Sequence, residues 1–183
     1  MEQRDLSASP TGIGATLRMA RTADAARIAQ VHLASWRATY VRELTPAFLK
    51  GQDVNRWIDR WRDEIAAGVI VILAEKDELL AGFVACGRAR GGSSDPDEWE
   101  IYNLHVQSDY AGRGVGTALF LAAVAEGRRL GVHELVLWVV RTNAVARAFY
   151  ERRGMRPDGA EQMHDVGGEV LREVRYRVAL QPC

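Results

Sequence analysis

The run Leu104-His105-Val106-Gln107-Ser108-Asp109-Tyr110-Ala111-Gly112-Arg113-Gly114-Val115-Gly116-Thr117-Ala118-Leu119 constrains this chain more than any other stretch. It reads as a strand, a glycine turn and the first turn of a helix. Glycine at every second position frees the backbone of Cβ atoms. Successive N–H groups can then turn toward one anion, and the helix start adds the positive end of its dipole. A strand that feeds a helix through a phosphate cradle implies an α/β fold. Spacing narrows its use. A nucleoside-triphosphate loop needs Lys and Ser/Thr after its last glycine, whereas Gly116 is followed by Thr117 and Ala118. A dinucleotide loop needs Gly-x-Gly-x-x-Gly and an acidic residue at the far end of the next strand. Here the third glycine comes one residue early, and Glu134 stands at the start of the next apolar run.

The stretch from Glu100 to Gly154 resembles the GNAT superfamily of N-acetyltransferases, whose acetyl-CoA loop has the pattern Gln/Arg-x-x-Gly-x-Gly/Ala. That pattern falls on Ala111 to Gly116, with alanine in place of the usual first residue, which removes one polar contact but no backbone donor. A second segment, Leu137 to Met155, is similar to the family's strand, Asn-led helix, tyrosine and closing glycine, on Asn143, Tyr150 and Gly154. The resemblance implies a mixed α/β fold with a mostly antiparallel sheet flanked by helices, and acetyl-CoA as co-substrate. It implies that Leu104, His105 and Val106 bond the pantetheine through their backbones. Gly112, Arg113, Gly114, Val115, Gly116 and Thr117 would then hold the pyrophosphate.

A chain of 183 residues is long enough for one well-buried core, so one domain over residues 15–183 is expected, after a flexible leader, residues 1–14, that mixes Ser, Pro, Thr and Gly. Lys plus Arg and Asp plus Glu both total 24, so no net field favours nucleic acid or an anionic membrane. No apolar stretch approaches the roughly 20 residues of a membrane span, and Met1 to Asp5 lacks a signal-peptide core. These readings lead to a cytoplasmic protein. Cys86 sits in an expected strand and Cys183 is last, and the four histidines lack metal-ligand spacing, so neither a disulfide nor a metal is expected. Family resemblance makes a homodimer plausible.

Periodicity predicts a strand over Ala15–Ala20, a helix capped by Thr22 or Asp24 and running toward Tyr40, a short helix opened by Pro46, and a helix over Asp53–Ala67. An antiparallel hairpin follows, Val69–Ala74 with Leu79–Ala89, then a mobile turn-rich loop over Gly91–Asp97. The chain re-enters the sheet at Trp99–Val106. After the glycine turn come a helix to about Leu130, a strand over His133–Arg141 and a helix over Asn143–Arg153 capped by Gly154. A last hairpin, Met155–Met163 with Leu171–Leu180, turns at Gly167-Gly168.

Acetyl transfer from a thioester to an amine needs a neutral amine and a proton for the departing thiolate. Alkyl ammonium groups titrate near pKa ~10 and α-ammonium groups near ~8, so a carboxylate or water chain should take a proton. Glu100, four residues before Leu104 on one strand and so on its face, looks like the acidic residue many family members carry. It equally fits an ordinary solvated carboxylate. Asp97, Glu98 and Asp109 read as turn or surface charges. The glutamate that other members place on the next strand is replaced by Trp138. A thiol titrates near ~8.5 and a phenol near ~10, so Tyr150 can serve as the acid, and its alternative is a core aromatic. Asn143 contacts CoA or acceptor, or simply caps its helix.

Acceptor walls come from Trp36, Tyr40 and Trp138, with Trp57, Trp99 and Tyr102 nearby in the pattern. These can hold an alkyl ammonium by cation–π attraction or belong to the core. Asp95, Asp97, Glu98 and Glu100 could form an acidic patch that recruits a cation. The reading is an N-acetyltransferase acting on a small-molecule or peptide primary amine in a ternary complex. Its alternative is a non-catalytic CoA-binding or sensing module.

Overall fold

The computed structural model describes residues 14–40, 44–90, 98–166 and 168–180. The expected leader, except Gly14, lies outside the described residues, as do the expected loop over 91–97 with Asp95 and Asp97, and Gly167. The strands are β1 (Thr16–Met19), β2 (Ile70–Lys76), β3 (Leu79–Arg88), β4 (Glu98–Val106), β5 (Glu134–Val140), β6 (Arg156–Val166) and β7 (Glu169–Ala179). They form one sheet in the order β1-β2-β3-β4-β5-β7-β6. β4 and β5 are parallel, while β1–β2, β2–β3, β5–β7 and β6–β7 are antiparallel. This is the mixed, mostly antiparallel α/β arrangement expected from the sequence. The parallel β4–β5 pair follows from the chain itself, because a glycine turn and a helix, α4 (Val115–Arg129), separate β4 from β5. Among the described residues no helix is long and apolar enough to cross a membrane.

The chain packs as two compact units, Met1–Cys86 with Asn103–Ala123, and Gly87–Tyr102 with Val124–Cys183. In the first, α1 (Ala25–Thr39) buries Ile28, Ala29, His32, Leu33 and Trp36, and α3 (Val54–Ala66) buries Trp61. Trp61 lies edge-on to Phe83 of β3 at 5.1 Å, and its indole N–H donates to His32 Nδ1 at 3.2 Å. Local caps set the helix starts. Thr45 accepts from Phe48 N ahead of α2 (Pro46–Lys50), and Asp53 accepts from Asn55 N ahead of α3.

Asp24 does not cap α1 through its side chain. Its carboxylate instead receives the Arg18 guanidinium at 2.7 and 2.8 Å and Arg21 N at 2.8 Å. Arg18 also donates to Glu75, as does Arg27, so β1, β2 and α1 share one ion-pair network. The arginine hydrogen bonds hold the Asp24 and Glu75 carboxyls below their usual range. A register shift between Ala74 and Glu75 marks the strand where this network attaches.

In the second unit the core is Trp99, Ile101, Leu135, Val136, Leu137, Met155 and Tyr176. A Cβ at Gly127 would lie 3.0 Å from the Trp99 ring, so glycine is what lets α4 approach that indole. Trp99 is therefore core. Glu98, expected to be a surface charge, is also buried. It sits at the start of a strand covered on both faces, and Arg177 of β7 compensates it at 2.9 Å while also reaching Glu134 at 3.0 Å. Burial of that carboxylate and of Glu100 removes the described part of the expected acidic patch from the surface.

Candidate active site

The first unit carries the cradle. A short 3-10 turn over Ser108–Tyr110 ends β4 and delivers the chain to Gly112 at φ +72° and Gly114 at φ +87°, conformations that L side chains resist. Arg113 N donates to Tyr110 O at 3.4 Å and Ala118 N to Gly114 O at 3.0 Å. Among the described residues, the amides of Gly112, Gly114, Val115 and Gly116 donate to nothing. The last two belong to the first turn of α4, where the residues four back, Ala111 and Gly112, lie outside the helix and offer no intrahelical carbonyl. Val115 is buried and anchors the turn, while residues 111–114 are exposed. A Cβ at Gly112 would meet nothing within 4 Å, so that glycine serves the backbone angle rather than a tight contact. Unengaged backbone donors at a helix start are the kind of group that can bind an anion.

Leu104, His105 and Val106 close β4 half-buried. The β3 backbone lies so near that a Cβ at Gly82 would fall 2.6 Å from His105 O. The His105 ring stacks on His32 at 4.5 Å and on Phe83 at 5.4 Å, with Nδ1 3.0 Å from Ser35 Oγ. Desolvation lowers His105 to about 4 and takes His32 well down, so both imidazoles are neutral near pH 7. Trp36 continues the wall, 5.6 Å from Tyr40, 5.9 Å from Phe48 and 6.1 Å from Trp57. Trp36 is buried and belongs to the core of this unit, while Tyr40 is half-buried. His32, Ser35 and Phe83 were not singled out as site residues. The helical spacing of His32, Ser35 and Trp36 on α1 is the signal that could have found the first two, and Phe83 of β3 carries none.

Both ionisable candidates, Glu100 and Tyr150, belong to the second unit. Glu100 is 8% exposed, pairs in register with Val136, and accepts from Arg90 N at 2.7 Å. Burial raises its carboxyl above the usual range despite that bond, and the Glu173 and Glu98 charges push the same way. Arg90 also stacks over Tyr102 at 3.5 Å, whose hydroxyl donates to Arg88 O at 2.5 Å. Trp138 is half-buried, in register with Arg175, whose guanidinium lies 5.8 Å from the indole. Asn143 caps α5 (Ala144–Glu151) by accepting from Ala146 N at 3.0 Å, which leaves its amide nitrogen as a donor. Tyr150, on α5, is 8% exposed and packs edge-on to Phe149. Among the described residues no cluster of His, Cys, Asp and Glu could hold a metal ion.

Residues 28–155 match the model of the acetyltransferase (GNAT) family. The chain is 28% identical over 160 residues to the uncharacterized N-acetyltransferase YuaI of Bacillus subtilis, covering 87% of this chain and 90% of that protein. It is 35% identical over 124 residues to a mycothiol acetyltransferase of Propionibacterium freudenreichii, covering 64% of this chain but only 36% of that longer protein. Its fold is similar to that of the ribosomal-protein-alanine N-acetyltransferase of Brucella melitensis, with a TM-score of 0.70, 21% identity, and 90% and 99% of the two chains covered. The PaiA N-acetyltransferase of Thermoplasma acidophilum, in complex with coenzyme A, gives a TM-score of 0.65 at 19% identity over 87% of this chain and 97% of that one.

Proposed function

Because the chain belongs to the acetyltransferase (GNAT) family and is an acetyl-CoA-dependent acyltransferase, we propose that residues 15–183 form one domain that acetylates a primary amine by direct attack in a ternary complex. The observation that carries this reading is the set of unengaged amides at Gly112, Gly114, Val115 and Gly116, together with the start of α4. Those amides, with Arg113 and Thr117 beside them, hold the diphosphate. The backbones of Leu104, His105 and Val106 hold the pantetheine, which is itself amide-bearing. Bound acetyl-CoA supplies an activated thioester.

Glu100 takes a proton from the ammonium form of the acceptor, so that a neutral nitrogen attacks the thioester carbon. Its raised pKa suits that task, since a base that titrates nearer neutrality drives proton transfer more strongly. The Val106 N–H donates to the carbonyl oxygen as negative charge builds there. The C–S bond breaks, and Tyr150 gives a proton to the thiolate. Glu100 passes its proton to bulk water, the remaining amine proton leaves to water, and a proton from solvent restores the Tyr150 phenol, so one proton is released per turnover. Asn143 donates through its amide nitrogen to CoA or the acceptor. Trp36, Tyr40 and Trp138 flank the acceptor. Cys86 is buried, so no covalent acetyl-cysteine is invoked.

Calorimetry with acetyl-CoA, followed by thiol-release assays against a panel of amines, amino acids and peptides, tests the reading. The wild-type chain should bind acetyl-CoA and release thiol with at least one amine. Gly114→Asp, which puts a side chain and a negative charge into the cradle at φ +87°, should bind none. Binding without thiol release across the panel would make the chain a CoA sensor, and retained affinity in the variant would remove the cradle.

A further inference from the structure

A buried tyrosine hydroxyl with both a donor and an acceptor partner stands on the strand beside β5, against the helix that carries Tyr150. Tyr176 on β7 has no exposed surface and stands in register with Leu137 of β5 and Pro157 of β6. Its hydroxyl donates to Glu151 Oε1 at 2.7 Å and accepts from Arg147 Nε at 3.0 Å. Both partners belong to α5 and lie four residues apart, one turn above the other on one face. Arg147 also donates through Nη1 to Arg141 O at 3.1 Å, in the connection that leads into the same helix. A single rigid phenol, fixed in the sheet, therefore grips α5 at two successive turns and at its entry. Tyr150 sits between the two gripped positions in sequence.

We propose that Tyr176 is a positioning residue for acetyl transfer: its hydroxyl, through Arg147 and Glu151, fixes the rotation and axial setting of α5 and so the place where the Tyr150 phenol meets the leaving sulfur. The proposal rests on the reading of Tyr150 as the acid. Two hydrogen bonds at one atom add directional restraints, fixed at both ends, to the side-chain packing that seats α5. Loss of the hydroxyl need not unfold the helix. Arg147 and Glu151 are themselves a four-residue pair and can bond directly once the phenol is gone. What is lost is the link from helix to sheet, and catalysis is sensitive to displacements of an ångström.

The test uses the full chain and the variants Tyr176→Phe, Tyr150→Phe and Glu151→Gln. Tyr176→Phe should bind acetyl-CoA with wild-type affinity by calorimetry and keep its KM for acetyl-CoA, while kcat falls by about tenfold or more. In tyrosine-labelled protein the ζ-carbon resonance of Tyr150, assigned by its loss in Tyr150→Phe, should move. Glu151→Gln keeps an acceptor for the phenol and should retain kcat within about twofold. An unchanged kcat in Tyr176→Phe, or a fall in kcat with an unmoved Tyr150 resonance, overturns the proposal. If Tyr150→Phe itself turns over at the wild-type rate, the assignment of the acid fails first and the positioning role falls with it. A disabled Tyr150→Phe beside an intact Tyr176→Phe sinks the positioning role alone.

Discussion

Glu100 holds its charge against its surroundings. The Arg90 N–H at 2.7 Å favours the carboxylate, yet burial outweighs it, and Glu98 and Glu173 add repulsion. A carboxyl raised in this way accepts protons over a pH range in which a surface glutamate is already fully ionised. kcat/KM should therefore climb as pH rises through the Glu100 pKa, above its ordinary value of 4.5. Glu100→Gln keeps the bond from Arg90 N and removes the base. Turnover should fall by roughly a hundredfold, in line with the usual worth of general-base catalysis, and the acid limb set by this group should vanish, leaving only the ionisation of the amine itself. A pH–rate profile of the variant that keeps the wild-type acid limb would move the base elsewhere. The same surroundings separate Glu100 from Glu98, two residues earlier, whose carboxylate lies 2.9 Å from the Arg177 guanidinium.

At the scale of elements, the β2–β3 hairpin closes through Asp77 and Glu78 at φ +49° and +64°, although neither is glycine. A left-handed turn matches the twist of the flanking strands, and L side chains there cost about 1–2 kcal/mol each. Glu78→Gly relieves that cost but loosens the unfolded chain by about 0.5–1 kcal/mol. The strain is the larger effect. The variant should gain about 1 kcal/mol, visible as a higher urea midpoint at unchanged slope, and a lower midpoint would show that the glutamate contributes more than its backbone loses. The contact from Arg27 to Glu78 goes to the main-chain oxygen at 2.9 Å and survives the change.

Elements of this kind were legible in the sequence where the signal is local. Asn143 and Gly154, the latter at φ +84°, bracket α5 as read from their types alone, and Val166 pairs with Glu169 across the expected glycine turn. Strand ends moved by one to three residues, as with β6, which runs on to Val166. The contacts that escaped reading join distant positions: Arg18 with Glu75, Arg177 with Glu98, Tyr176 with Glu151. No period of two or of 3.6 residues encodes such a partner, which is why Glu98 reads from the sequence as a surface charge and nothing in the pattern distinguishes Tyr176.

Across the whole molecule, the ionisable groups divide by sign. His105 is lowered from 6.5 to about 4, and His32 is lowered too, so the fold prefers both rings neutral. Their contribution is complete above pH 6.5 and drains away as pH falls from 6.5 toward 4, because the unfolded chain takes up protons that the fold refuses. Asp24 and Glu75, held down by the Arg18 guanidinium, add stability that is lost at lower pH, below their ordinary values of 3.8 and 4.5. Glu100 is raised and opposes them: the fold favours its protonated form, so acidification past its pKa relieves a penalty. One carboxyl does not balance two imidazoles and an ion-pair network. The net expectation is a urea midpoint that falls steadily as pH drops below 6.5 through the His105 range toward 4. The chain has no net charge at pH 7, so acid also builds general positive repulsion. His105→Gln separates the two causes, since it removes one titrating ring and leaves the other charges in place. It should flatten the fall between pH 6.5 and 4.5, and a variant whose midpoint still tracks the wild type there would assign the acid sensitivity to net charge rather than to the stacked imidazoles.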